Sequence, residues 1–192
     1  MARSSSVRKV VIAGALSAVS IVLGFTPLGY IPWFSGAVLS VMAVPVSIGA
    51  ILEGPVVGIV VGGVFGATSL IQAATNPARG PIDVFFVNPF ISVLPRLLIG
   101  LAAWAVYRLF RGKLVPAAAA TAGVVGSLAN SVFVLGALVL AGAVPLAVAA
   151  TVLVANSLLE AAAGGILTSA VVSAWKGIAS RSGKSKLADE GR

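Results

Sequence analysis

From Val7 to Trp175 the chain is a succession of apolar runs, interrupted only by short breaks of proline, glycine and scattered charge. An α-helix needs roughly 20 apolar residues to cross the hydrocarbon layer of a bilayer, and within that layer each backbone N–H and C=O must be satisfied by the spanning segment itself. Repeated runs of this kind indicate an all-α integral membrane protein, a single bundle of six transmembrane helices over residues 1–192, with polar tails at 1–6 and 177–192. Composition agrees, because 59% of the residues are hydrophobic and 9% are charged, where soluble domains carry about 25% charged residues. Cysteine and histidine are both absent, which removes thiol nucleophiles, disulfides, imidazole bases and the usual transition-metal ligands. Most enzyme mechanisms are therefore out of reach, and no metal or cofactor is expected.

The predicted spans run from Val7 to Phe25, Ala37 to Leu52, Val56 to Ala74, Ile91 to Phe110, about Val115 to Ala141, and about Ala147 to Trp175. The basic N-terminus leads into the first run without a convincing cleavage site, so that run reads as a retained helix rather than a signal peptide. The breaks carry their own signals. Glu53-Gly54-Pro55 is a helix stop followed by a helix start, and Thr26 to Gly36 is an uncharged loop with aromatics suited to a membrane interface. Thr75 to Pro89 is the longest interior connection, of the kind that often forms a lid. Eleven of the thirteen basic residues fall on one side of a six-span arrangement, namely Arg3, Arg8, Lys9, Arg108, Arg111, Lys113, Lys176, Arg181, Lys184, Lys186 and Arg192. The net charge of +8 is thus topological and does not mark a nucleic-acid partner, and both termini are expected in the cytoplasm.

Two sets of small residues mark helix faces that another backbone can approach closely. One is Ala13, Gly14, Ser17 and Ala18 on the first span; the other is Gly58, Gly62 and Gly66, four apart on the third. Against this apolar background the buried polar residues stand out. Arg96 follows Pro95 early in the fourth span; Asn130 lies in the fifth, flanked by Ser127 and Ser131; Asn156 and Glu160 lie one turn apart on one face of the sixth; Gln72 is near the outer end of the third and Asn88 just before the fourth. A cation at such depth costs about 2.5–3.5 kcal/mol on insertion scales, and it persists with a partner, a wet cavity or a ligand. Helical rise puts Arg96 roughly 8–9 Å into its span, Asn156 roughly 13–14 Å and Asn130 about 17 Å from the outer surface. The arginine's long stem lets it reach the level of the amides. Either these groups form a structural network centred on an Arg96–Glu160 pair, or they face a shared pocket for a small polar solute. A cation, amides and one acid suit a solute better than the rings of like groups that line ion pores. No GxxxxGK[ST] phosphate loop is present, so energy for uptake would have to come from a partner.

On these features the chain resembles the substrate-binding S components of energy-coupling-factor (ECF) vitamin transporters over nearly its whole length. The resemblance rests on the six short spans, the Ile51-Leu-Glu-Gly-Pro-Val-Val-Gly58 turn, Asn88-Pro-Phe-Ile-Ser-Val-Leu-Pro-Arg-Leu-Leu-Ile-Gly100, Gly126-Ser-Leu-Ala-Asn-Ser-Val-Phe-Val-Leu-Gly136 and Asn156-Ser-Leu-Leu-Glu160. It implies a multi-pass protein of a prokaryotic plasma membrane that captures a small water-soluble vitamin from outside and docks on a transmembrane coupling subunit driven by two ATPase subunits. The polar residues Arg96, Asn130, Asn156, Glu160, Gln72 and Asn88 are then the expected solute contacts, and the resemblance implies docking through Ala13, Gly14, Ser17 and Ala18, where the family's Ala-xxx-Ala pattern appears only conservatively. The fourth- and fifth-span segments look most like the pantothenate type, with cobalamin, folate and riboflavin types as alternatives. The reading from another class is a small scaffold or channel subunit with a solid bundle centre and no solute pocket.

Overall fold

Proline and glycine decide where the helices begin and end. In the computed structural model, which describes residues 2–32, 38–75, 83–110 and 114–189, with side chains in all of these except 2–5, 30–39, 83 and 178–189, helix α1 spans Ala2–Phe25. It gives way to a 3-10 turn at Pro27–Gly29 and a hairpin of two short antiparallel strands, β1 (Tyr30–Pro32) and β2 (Val38–Ser40). Then follow α2 (Ala43–Glu53), α3 (Pro55–Thr75), a 3-10 segment at Asp83–Val87, α4 (Pro89–Ser92), α5 (Leu94–Leu109), α6 (Val115–Leu140) and α7 (Leu146–Asp189). Gly54 takes φ +97 at the end of α2 and Pro55 opens α3, so the chain reverses within one residue.

The bundle is helical as expected, and among the described residues five segments are long and apolar enough to cross a membrane, α4 and α5 counting as one. The second helix differs: it starts at Ala43 rather than Ala37 and has 11 residues, about 16 Å at 1.5 Å per residue. Every residue from Ala43 to Ile51 is buried. Lipid does not reach its backbone, and ahead of it strands β1 and β2 pair their backbone groups with each other. The tails also differ, since 2–6 belong to α1 and 177–189 continue α7. Arg79, Arg111 and Lys113, residues 33–37 of the first loop and 76–82 of the longest connection lie outside the described residues.

In a bilayer, apolar side chains gain little from leaving lipid for one another, so close packing holds helices together. The glycines of α3 supply that closeness. A Cβ on Gly58 would sit 3.0 Å from the Cα of Gly100 on α5, and one on Gly66 would sit 2.7 Å from the Cα of Val93. The α3 glycine face is therefore a packing surface for α5 and for the break that precedes it. Around it Met42, Val46, Val57, Val61, Phe65 and Ile99 form one apolar cluster, and Val44, Ile48, Tyr107, Ala118, Ala119, Ala122 and Val172 form another.

Three contacts tie the helices together at the end of the bundle that holds Arg8 and Lys176. Arg8 Nη2 pairs with Glu53 Oε1 at 2.7 Å, Ser169 Oγ donates to the Pro116 carbonyl at 2.9 Å, and Lys176 donates to the Tyr107 hydroxyl while lying 4.7 Å over its ring. The hairpin, the Asp83–Val87 segment and the α6–α7 turn lie toward the other end.

Candidate functional site

Arg96 is held by a local device. Helix α4 ends at Ser92, Val93 makes a turn, and α5 restarts with Pro95 at its second position. Proline has no N–H to give the carbonyl four residues back, which is that of Ile91. Arg96 fills the gap, its Nη1 donating to the Ile91 carbonyl at 2.6 Å. The guanidinium also lies 5.4 Å from the ring of Phe65 and 5.0 Å from that of Phe86, within cation–π range. Phe86 is itself tied in, because Ser92 Oγ donates to its carbonyl. The break at Val93, followed by Pro95 in the first turn of α5, thus accompanies a buried, oriented cation, 6% exposed.

Glu160 is the meeting point of three elements. Its Oε1 accepts from the backbone N–H of Ser40 on β2 at 2.8 Å, and its Oε2 accepts from Ser131 Oγ on α6 at 3.2 Å. Asn156 Nδ2, one turn earlier on α7, approaches Oε1 at 3.4 Å, at the long limit of a hydrogen bond. The small residues between α6 and α7 permit this, since Gly164 packs against Ser127 and Gly123.

Arg96, Asn130, Asn156 and Glu160 line one cleft of about 180 Å³, together with Ser40, Phe65, Ser131, Val134, Leu135, Val152 and Ser157. The lining mixes charged and amide side chains with the apolar Phe65, Val134, Leu135 and Val152. Asn130 Oδ1 is buried and has no hydrogen-bond partner among the described residues. Buried acceptors are ordinarily satisfied, so this one stands out as unused on a residue that lines the cleft. Among the described residues no group of three His, Cys, Asp or Glu is placed to hold a metal ion.

The other two residues expected at the site lie elsewhere. Gln72 is buried and its Nε2 donates to the Gly24 carbonyl, tying α3 to the end of α1. Asn88 caps α4, its side chain accepting from the Phe90 N–H at 3.0 Å. Both sit near span ends, where an amide finds a backbone partner before a solute. Sequence reasoning missed Ser40, Phe65 and Ser157 as lining residues. Ser157 was signalled by its neighbour Asn156, and Phe65 by the glycines on either side of its turn; nothing local marks Ser40, whose part in the site is its backbone N–H.

On α1, Gly14 and Ala18 are exposed, and a Cβ on Gly14 would meet nothing within 4 Å. Ala13 and Ser17 are half-buried, and Ala13 packs against the Met42–Ile99 cluster. The small-residue pairs therefore split, one toward the bundle and one away from it.

Residues 8–174 match the family described as "ECF transporter, substrate-specific component". A pantothenate transporter, PanT, of Leuconostoc mesenteroides subsp. mesenteroides is 40% identical over 80 residues. That similarity covers 41% of this chain and 37% of the relative, so it bears on a part of each. Because the family match takes in α1 through most of α7, with the cleft residues inside it, the chain belongs to the substrate-specific components of ECF transporters, transport proteins rather than enzymes.

Proposed function

We propose that this protein captures pantothenate, or a closely similar carboxylate-bearing vitamin, for uptake across a prokaryotic plasma membrane. The observation that carries the proposal is the pairing, in one cleft, of an oriented guanidinium, Arg96, with an amide, Asn130, whose Oδ1 is buried and unpartnered among the described residues. A carboxylate complements the first by a charge-assisted hydrogen bond, and a hydroxyl or amide N–H complements the second. The apolar lining residues Val134, Leu135 and Val152 take the aliphatic part of such a molecule. The cleft's volume of about 180 Å³ argues against the far larger corrin ring of cobalamin. The partial similarity to a pantothenate transporter supports the same choice.

In this reading the protein works with a transmembrane coupling subunit and two ATPase subunits, and the exposed Gly14 and Ala18 of α1 belong to the docking face. Its termini are cytoplasmic, which agrees with the gathering of Arg8, Arg108 and Lys176 at the end of the bundle away from the cleft. In the same reading the Thr26–Gly36 and Thr75–Pro89 loops, each partly outside the described residues, serve as the cover over the solute. The test is to purify the protein from cells grown in rich medium and identify by mass spectrometry what co-elutes. Pantothenate is the expected outcome; folate, riboflavin or no solute would reject it. Arg96→Ala and Asn130→Ala should each weaken pantothenate binding more than tenfold, about 1.4 kcal/mol.

A further inference from the structure

We propose that Pro95 is a positioning residue for the solute's anionic group, acting through the Ile91 carbonyl on the Arg96 guanidinium; the proposal rests on the cleft reading above. In an unbroken helix the N–H of residue 95 would occupy the carbonyl of residue 91, and an arginine at 96 would have no fixed acceptor on that turn. Proline leaves the carbonyl open, and Arg96 Nη1 takes it at 2.6 Å. One edge of the guanidinium is thereby occupied and its plane is held near Phe65 and Phe86, while Arg96 still lines the cleft. The turn is braced from behind. A Cβ on Gly66 would sit 2.9 Å from the Ser92 carbonyl oxygen, and one on Gly62 would collide with that of Arg96. The long side chain loses its rotamer freedom before a solute arrives, which lowers the entropic cost of binding.

Pro95→Ala supplies the missing N–H in the first turn of α5, where proline is not needed for the helix, so the backbone competes with Arg96 for the Ile91 carbonyl. The measurement uses protein labelled with 15N-arginine in lipid nanodiscs, the Arg96 side-chain signals being assigned by their loss in Arg96→Lys. Without any solute, the Arg96 Nη hydrogens should exchange slowly in the wild type and rapidly in Pro95→Ala. Pantothenate affinity should then fall roughly tenfold, as expected for weakening a hydrogen-bonded charge. Affinity for the neutral alcohol analogue, in which –CH2OH replaces the carboxylate, should stay within about twofold, since hydrogen bonds to uncharged groups are the weaker class. Equal losses for the two compounds, or unchanged Arg96 exchange, would overturn the proposal. Normal pantothenate binding by Arg96→Ala would overturn the cleft reading and this proposal with it. Loss in Arg96→Ala alongside wild-type behaviour of Pro95→Ala would overturn this proposal alone.

Discussion

Replacing Glu160 by alanine should loosen the β hairpin from the bundle, by an amount that the structure allows to be worked out. The carboxyl group accepts from the Ser40 N–H, Ser131 Oγ and, weakly, Asn156 Nδ2. Ser131 has a second acceptor, the Ser127 carbonyl at 3.4 Å, and half-buried Asn156 can turn toward water in the cleft. The Ser40 N–H bears most of the loss. Leaving such a donor unsatisfied costs about 1–3 kcal/mol, and a middle value of about 2 kcal/mol corresponds to roughly a 30-fold change in an opening equilibrium. Hydrogen exchange of a peptide covering 38–42 reads that equilibrium directly. Glu160→Ala should speed exchange there by roughly 30-fold, with little effect at 57–66 in α3. Glu160→Gln keeps one oxygen for Ser40 and should change exchange by less than about fivefold, under about 1 kcal/mol. If exchange at 38–42 is the same in the wild type and Glu160→Ala, the carboxyl group is not what holds the hairpin, and the account of Glu160 as the joint between β2, α6 and α7 fails.

Other expectations separate packing, docking and binding. Gly62→Ala should lower the thermal midpoint by the equivalent of about 1–3 kcal/mol, because its Cβ would meet the Arg96 carbonyl; at Gly63 the nearest atom is Leu97 Cδ2 at 3.4 Å, and Gly63→Ala should stay within about 0.5 kcal/mol. Equal midpoints would refute the role given to the glycine face. Gly14→Leu or Ala18→Leu should abolish uptake by cells while the purified protein still binds solute, and loss of binding would count against a docking role for α1. Gln72→Ala should destabilise the protein by about 1–3 kcal/mol, the cost of an orphaned buried carbonyl at Gly24, yet leave solute affinity within about twofold; an affinity loss larger than the stability loss would return Gln72 to the site.

The number and order of the apolar segments were legible in the sequence because a bilayer makes one demand of every span. Repeated runs of about 20 apolar residues satisfy it visibly. The break ahead of Arg96 was legible for an equally local reason, since Pro95 removes a donor wherever it sits. The glycine spacing at 58, 62 and 66 announced a close approach without naming the partner. Arg96, Asn130, Asn156 and Glu160 could be gathered from depth alone, each lying some helical turns in from the same surface.

The tertiary structure decided which side chains at a given depth face one another. A residue's direction around its helix turns by about 100° per step, so neighbours such as Asn130 and Ser131 differ in what they meet, and only packing chooses. It brought Ser40, 120 residues away in the chain, onto Glu160, and laid Phe65 and Phe86 against Arg96. It also sent Gln72 and Asn88 to backbone partners. Its largest departure from the sequence reading, the short α2 behind a hairpin, has the same origin. An apolar run reports that water is excluded, and both lipid and protein exclude it. Where protein covers all sides, as it does around Ala43 to Ile51, a segment need not be long enough to span, and strands can pair where a helix was expected.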